Sequence, residues 1–446
     1  MTSDQTNDRV RVSDRLNKAY FCSARLLRRA VIVTSHGATM SALLFAMLAG
    51  SGTMAQAQKE SVLYSFCSMP NCTDGFGPIG NLAIDAEGNL YGATSYGGRH
   101  CCGTLFELAP SGAETVRVSF SDADGAYPNG GMIWDAKGNL YGTTAGATDF
   151  LGQAGGFFGS VFELEKRSFR FRYRFTGNLA NGAKPPSGLA MDAQGNLYGT
   201  TTSGGNVGCF DFGCGTVFKL APDGTETVLH NFSGGADGGT PYGSLVLDAE
   251  GNLYGTTYLG GNSGAGCNST CGTVFKVTPD GTETVLYGFG GGNDGANPVA
   301  GLVMDGQGNL YGTTLLAGAH GNGTAFKVTP GGAETVLYTF AGGTDGSVSY
   351  ASLLLDAKGN LYGTTAAGGG LGCRENGGCG TVFKVTPEGT EKVLHRFTGG
   401  TDGAEPYGGL VFDGKGNLYG TTLGGGGGKG CYDNLPGCGV VFKVTL

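Results

Sequence analysis

Asp305-Gly306-Gln307-Gly308-Asn309-Leu310-Tyr311-Gly312-Thr313-Thr314 decides the architecture of this chain, because near-copies of it begin at Asp85, Asp135, Asp192, Asp248, Asp356 and Asp413. Successive copies lie 50, 57, 56, 57, 51 and 57 residues apart, a period found in propellers and helical arrays. The surrounding segments choose between these. Leu302 to Met304 (strand A), Asn309 to Thr314 (B), Thr324 to Val328 (C) and Glu334 to Phe340 (D) are short, rich in β-branched and aromatic residues, and bounded by Gly, Asp, Asn or Pro. None reaches the length of a helix. Four strands in each of seven repeats predict an all-β fold, a seven-bladed β-propeller of four-stranded blades.

The two ends of the repeat region complete each other. Ser61-Val62-Leu63-Tyr64-Ser65-Phe66 matches strand D, whereas Val440-Val441-Phe442-Lys443-Val444-Thr445 matches strand C and has no D strand after it. The N-terminal strand is therefore expected to complete the last blade, leaving no open sheet edge at the seam. Alternating strand direction puts the short A-to-B and C-to-D turns on one face and the long, variable B-to-C and D-to-A loops on the other. A rigid scaffold with varied loops is the usual way to build a binding site, so a ligand is expected on the long-loop face.

Of the 446 residues, 89 are glycine, and their recurrence at fixed repeat positions reads as turns and close strand packing instead of a flexible tract. Residues 1–57 read as an export signal with an N-terminal extension: Arg25, Arg28 and Arg29, an apolar run from Ala38 to Gly50, then Ala55-Gln56-Ala57 as the cleavage site. The run is too short to span a membrane. The propeller domain is then residues 58–446, secreted or periplasmic, with no transmembrane segment and expected as a monomer. Cleavage removes seven basic and three acidic residues and takes the net charge from −8 to −12, which excludes nucleic-acid binding through a general electrostatic field. It also removes Cys22 and leaves twelve cysteines, an even number that in an exported protein reads as disulfides.

The motif seen as Gly301-Leu302-Val303-Met304-Asp305 and Gly308-Asn309-Leu310-Tyr311-Gly312-Thr313-Thr314, followed by strand-and-turn copies such as Gly272 to Phe289 and then Gly-Gly-x-Asp-Gly, resembles the GloVer tandem repeat of exported bacterial proteins. Members are named for their different C-terminal sorting anchors. The resemblance covers residues 60–446 and is similar more loosely to propellers of the NHL type. It implies a secreted or surface-associated propeller in a family whose biochemical role is not established. The chain ends at Leu446 directly after a strand, which departs from the anchored habit, so release into the periplasm or medium is expected.

Cys209 with Cys214, Cys267 with Cys271, Cys373 with Cys379 and Cys431 with Cys438 lie inside B-to-C loops, the second of each pair directly before strand C. They are expected as local disulfide staples, with a zinc site shared by two loops as the alternative. Cys67 with Cys72 lies in the clasp loop. Cys101 and Cys102 either close on each other or pair with that loop. No metal site is expected from a histidine pair: His230 and His395 occupy a position that is Tyr64, Tyr173, Tyr287 and Tyr338 in other blades, and His100 and His320 are isolated in loops.

Asp74, Asp124, Asp237, Asp294, Asp345 and Asp402, with Asn181 in the remaining blade, recur in the D-to-A connection, each before Gly. They are expected near the channel mouth, where they could bind calcium, or as side chains capping their own turns, a role Asn fills equally well. No other cofactor is expected. The following rim position holds Ile79, Asn129, Pro186, Tyr242, Val299, Tyr350 and Tyr407. Its tyrosines could stack on a sugar or peptide, or pack against the next loop. The candidate ligand-binding set is Tyr242, Tyr350, Tyr407, Asn129, Asp237 and Asp402. Phe150, Phe157, Phe158, Phe210, Phe212 and Tyr432 add aromatic area to the long loops. Phe169-Arg170-Phe171-Arg172-Tyr173-Arg174-Phe175 alternates aromatics with arginines, which discourages edge pairing or docks an anionic partner.

The function expected is a secreted, non-catalytic binding or scaffold module for a glycan, peptide or surface protein. The alternative is a propeller enzyme such as a lyase or lactonase with its site at the channel mouth, since fold alone does not choose between them.

Overall fold

The computed structural model describes residues 59–446, apart from 122–124, 147–157, 167, 179, 207, 210–211, 265, 268–269, 371, 374–376, 429–430 and 432–436. The expected export segment lies outside the described residues, as do Asp124, Phe150, Phe157, Phe210 and Tyr432. The described residues form seven four-stranded antiparallel sheets arranged as the blades of a propeller. No helix among them is long and apolar enough to cross a membrane.

The repeated decapeptide makes the A-to-B turn. Asp305 accepts hydrogen bonds from the Asn309 backbone N–H (2.9 Å), the Asn309 side-chain amide (2.8 Å), the Gln307 N–H (2.9 Å) and the Tyr311 hydroxyl (2.9 Å). One carboxylate thus ties together the turn and the Tyr311 side chain of strand B. Gly308 is at φ +79°, a left-handed conformation with little steric penalty only for glycine. Strand B then runs Leu310–Thr313 and strand A is only Val303–Met304, each slightly shorter than the sequence pattern predicts. In strand B, Gly312 faces Phe326 of strand C: a Cβ there would come within 2.7 Å of the Phe ring. The missing side chain is therefore the space in which the ring sits.

The core lies between blades. The last residue of each D segment packs on the strand C Phe of the next blade: Phe66 on Phe106, Phe120 on Phe162, Phe175 on Phe218, Phe232 on Phe275, Phe289 on Phe326, Phe340 on Phe383 and Phe397 on Phe442, with centroids 5.0–5.6 Å apart. Each such aromatic pair contributes about 0.5–1.5 kcal/mol beyond its buried area. The A strands surround the axis, where blades approach backbone to backbone. A Cβ on Gly243 would lie 2.5 Å from the Ala300 carbonyl oxygen of the next blade, and one on Gly408 would lie 2.7 Å from that of Gly80. Strand B threonines donate across the same boundary, as Thr143 does to Ser187 O (2.8 Å) and Thr256 to Ala300 O (2.9 Å).

The N-terminal strand Glu60–Ser65 is the outer strand of the seventh blade, antiparallel to Val440–Thr445. Its register shift between Val62 and Tyr64 recurs between C and D strands of other blades, and Phe66 N–H bonds Gly439 O (3.0 Å) as Phe120 N–H bonds Gly103 O (2.9 Å). The clasp reproduces an ordinary blade.

Candidate ligand-binding face

Among the described residues of the D-to-A connection, Asp74, Asp237, Asp294, Asp345 and Asp402 sit against strand D, the outermost strand of the blade, and cap their own turns. Asp294 accepts from the Tyr287 hydroxyl (2.9 Å) and Gly290 N–H (2.6 Å), Asp345 from Tyr338 (3.0 Å) and Ala341 N–H (2.6 Å), and Asp74 from Tyr64 (2.8 Å) and Ser68 N–H (2.8 Å). Asp237 accepts from Ser233 N–H (2.8 Å) and the Ser233 hydroxyl, and Asp402 from Thr398 N–H (2.9 Å) and its hydroxyl (2.5 Å). His230 and His395 replace the tyrosine there. Their Nε2 atoms lie 3.5 Å from Asp237 and 3.4 Å from Asp402, and their rings pack edge-on against Phe232 and Phe397. Of the two expectations for Asp237 and Asp402, these hydrogen bonds match the turn cap, and the turn folds back onto the outer strand.

A glutamate reaches each of six outer turns from the next blade, five of them capped by an aspartate and one by Asn181. Glu114 stands beside Asp74, Glu283 beside Asp237, Glu334 beside Asp294 and Glu391 beside Asp345. Burial, reinforced by the neighbouring aspartate, pushes all four glutamates up to about 7. Glu60 of the clasp strand, beside Asp402 and His395, and Glu226 are raised for the same leading reason. At least one carboxylate oxygen of each glutamate is enclosed and makes no hydrogen bond. The sequence pattern shows the Glu-Thr-Val strands but not this pairing, since glutamate and aspartate come from different repeats.

The rim tyrosines divide. Tyr350 and Tyr407, from neighbouring blades, are half-buried and stacked with ring centroids 4.6 Å apart and planes 22° from parallel. Tyr242 stands apart from them and meets Tyr258 edge-on at 5.8 Å. Asn129 accepts a hydrogen bond from the Ser95 hydroxyl (2.9 Å). His100 and His320 are exposed, as is Phe212, whose ring faces the Lys184 ammonium at 5.4 Å.

Two residues upstream of the tyrosine position is a ring of left-handed backbone that the sequence does not advertise. Gly77, Tyr127, Lys184, Thr240, Asn297, Val348 and Glu405 have φ between 52° and 67°. For Thr240 and Val348, which are β-branched, this region is strongly disfavoured. In each, the N–H bonds a carbonyl just before strand C of the preceding blade, at 2.7–3.4 Å. In four blades that carbonyl belongs to the second cysteine of a disulfide: Cys438, Cys214, Cys271 and Cys379. The staple thereby positions the rim of the next blade.

Five disulfides are present: Cys67–Cys72, Cys209–Cys214, Cys267–Cys271, Cys373–Cys379 and Cys431–Cys438. The sulfurs of Cys101 and Cys102, whose pairing the sequence left open, face each other at 3.0 Å. Alkylation of denatured, unreduced protein should therefore leave the ten disulfide cysteines unlabelled. Peptide mapping that finds any of the ten labelled would overturn this assignment.

The arginine-rich strand Ser168–Arg174 is engaged within the chain. Arg170 and Arg172 meet the buried Glu163 at 2.7 and 3.3 Å, and Arg174 lies 4.0 Å over the Phe171 ring. Burial opposes ionisation of Glu163, but hydrogen bonds from Arg170 and Tyr141 and the two guanidinium charges outweigh it and hold its carboxyl below the ordinary range.

The model of the Gloeobacter/Verrucomicrobia repeat matches residues 28–269 and 265–446. No curated protein matches the chain. Among solved structures, a gluconolactonase from Xanthomonas campestris is similar at 12% identity, over 87% of this chain and 90% of that one, with a TM-score of 0.42. A luciferin-regenerating enzyme is similar at 12% identity over 87% and 96%, with a TM-score of 0.44. PorZ, a surface component of the type-IX secretion system of Porphyromonas gingivalis, is similar at 13% identity over 84% and 48%, with a TM-score of 0.45.

Proposed function

The chain belongs to the Gloeobacter/Verrucomicrobia repeat family, and from that premise we propose that it is an exported, non-catalytic recognition module that holds a glycan, peptide or surface protein on its long-loop face. The stacked pair Tyr350 and Tyr407 carries this reading. Two aromatic rings from adjacent blades offer a flat surface beside the channel, and the backbone beneath them is held by inter-blade hydrogen bonds, so little order is lost on binding. The five disulfides support an oxidising compartment, and hence export to the periplasm or medium.

The test is binding to an array of glycans and cell-wall polysaccharides, with calcium and with chelator. Replacing Tyr350 or Tyr407 by Ala should weaken a hit by roughly tenfold or more, about 1.4 kcal/mol. A hit indifferent to both substitutions would reject the tyrosine platform.

A further inference from the structure

The opposite face holds a cavity of about 570 Å³ between the first two blades, walled by Tyr91 and Trp134 and rimmed by Arg117, Lys166, Glu87 and Asp135. The other blades serve as internal controls. Where blade 2 has Trp134, the rest have Ile84, Met191, Leu247, Met304, Leu355 and Phe412, all of which lack a polar atom. Trp134 is the sole tryptophan of the chain, and its indole N–H is enclosed with no hydrogen-bond partner. Indole N–H groups usually find an acceptor when buried, so the packing around Trp134 leaves its donor unsatisfied.

Two further departures meet at the same place. Arg117 stands where five blades have Leu63, Leu229, Leu286, Leu337 and Leu394, and Glu107 stands where blades 3 to 7 have a lysine over the strand B tyrosine. Arg117 pairs with Glu107 at 2.5 Å and donates to the Lys166 carbonyl of the neighbouring blade, so the guanidinium spans the boundary. Tyr91 and Trp134 meet edge-on at 4.9 Å.

We propose that this cavity is a binding site for a small neutral saccharide, separate from the long-loop face and independent of the function proposed for it. The volume lies within the range of small-molecule pockets. Aromatic walls suit the C–H faces of a pyranose, and the charged groups of the rim suit its hydroxyls. Cationic and anionic groups share one rim, so a charged ligand of either sign meets like charge, whereas hydroxyls both donate and accept.

The lone tryptophan makes the test direct. Titration of the protein with cellobiose, maltose, diacetylchitobiose or methyl galactoside should give, for at least one of them, a saturable and salt-insensitive change in tryptophan emission, with matching calorimetric heat. Trp134→Leu and Arg117→Leu, which install residues that other blades carry, should each raise the dissociation constant roughly tenfold or more while the circular dichroism spectrum is retained. Tyr350→Ala and Tyr407→Ala should leave it unchanged. Absence of any response across the four sugars, unchanged affinity in Trp134→Leu, or a response confined to inorganic phosphate or an acidic peptide would overturn the assignment.

Discussion

Protein lacking residues 59–66 should melt at least ~10 °C below the intact chain and lose the single cooperative transition that a closed ring gives. The strand Glu60–Ser65 supplies the five residue pairs that cover Val440 to Val444. Phe66, fully buried, packs on Phe106 of the first blade within a cluster that includes Leu82, Leu90 and Val441. Truncating one buried Phe to Ala costs about 3–5 kcal/mol. Removing the strand also exposes the backbone edge of Val440–Thr445, a template for pairing with other chains. Phe66→Ala alone should show the Phe-sized part of this loss in denaturant melts, and the deletion should additionally produce aggregates on gel filtration. An unchanged melting curve for the deletion would mean that the seam does not hold the ring.

The second large effect is on acidity. The propeller should grow more stable as the pH falls from 8 to about 5.5. Glu114, Glu283, Glu334 and Glu391 are held near 7 in the folded state, against 4.5 as the ordinary value. A folded value above the unfolded one means that the folded state binds protons more tightly. The contribution is complete below about 4.5 and is lost as the pH rises through 7. At full weight each shift corresponds to roughly 3 kcal/mol. Because these side chains are only half-buried, solvent screening reduces this to about 1 kcal/mol apiece. His230, kept below its ordinary value chiefly by burial, works in the other direction, one group against four. Below pH 4 the sign reverses: for Asp192, Asp248 and Asp305 burial is outweighed by hydrogen bonds from Asn196, Asn252 and Asn309 and their turns, and protonation breaks those bonds. Thermal melts across this range should peak between about pH 4.5 and 5.5. Changing the four glutamates to Gln should flatten the rise above it, and a quadruple variant with the wild-type slope would reject the carboxylate pairs as its source.

Blade number, strand order and the seam were all legible in the chain, because the period-two strands, the Asp-x-x-Gly-Asn turn and the unmatched D-like and C-like ends are local signals. Five of the cysteine pairs were legible for the same reason, each closing a loop of a few residues. The position of Asp237 and Asp402 was not. Loop membership says which face a residue belongs to, but whether its turn folds back to the outer strand depends on Ser233, Thr398 and the strand D ring in three dimensions. The glutamate–aspartate pairs were hidden because they join different repeats. The left-handed ring was hidden because Val348 and Thr240 are residues that ordinarily argue against such backbone.

That ring separates two demands usually made of one residue. Its conformation is dictated by neighbours: the N–H held by the preceding blade, the carbonyl accepting from the same blade, as Tyr258 N–H bonds Thr240 O and Ala366 N–H bonds Val348 O. The side chain is fitted separately in each blade, as Gly, Tyr, Lys, Thr, Asn, Val or Glu. Thr240, Asn297 and Glu405 are buried, and the Asn297 amide donates to Tyr258 O and Thr270 O. One backbone template therefore carries seven different local solutions, each matched to the pair of loops that encloses it.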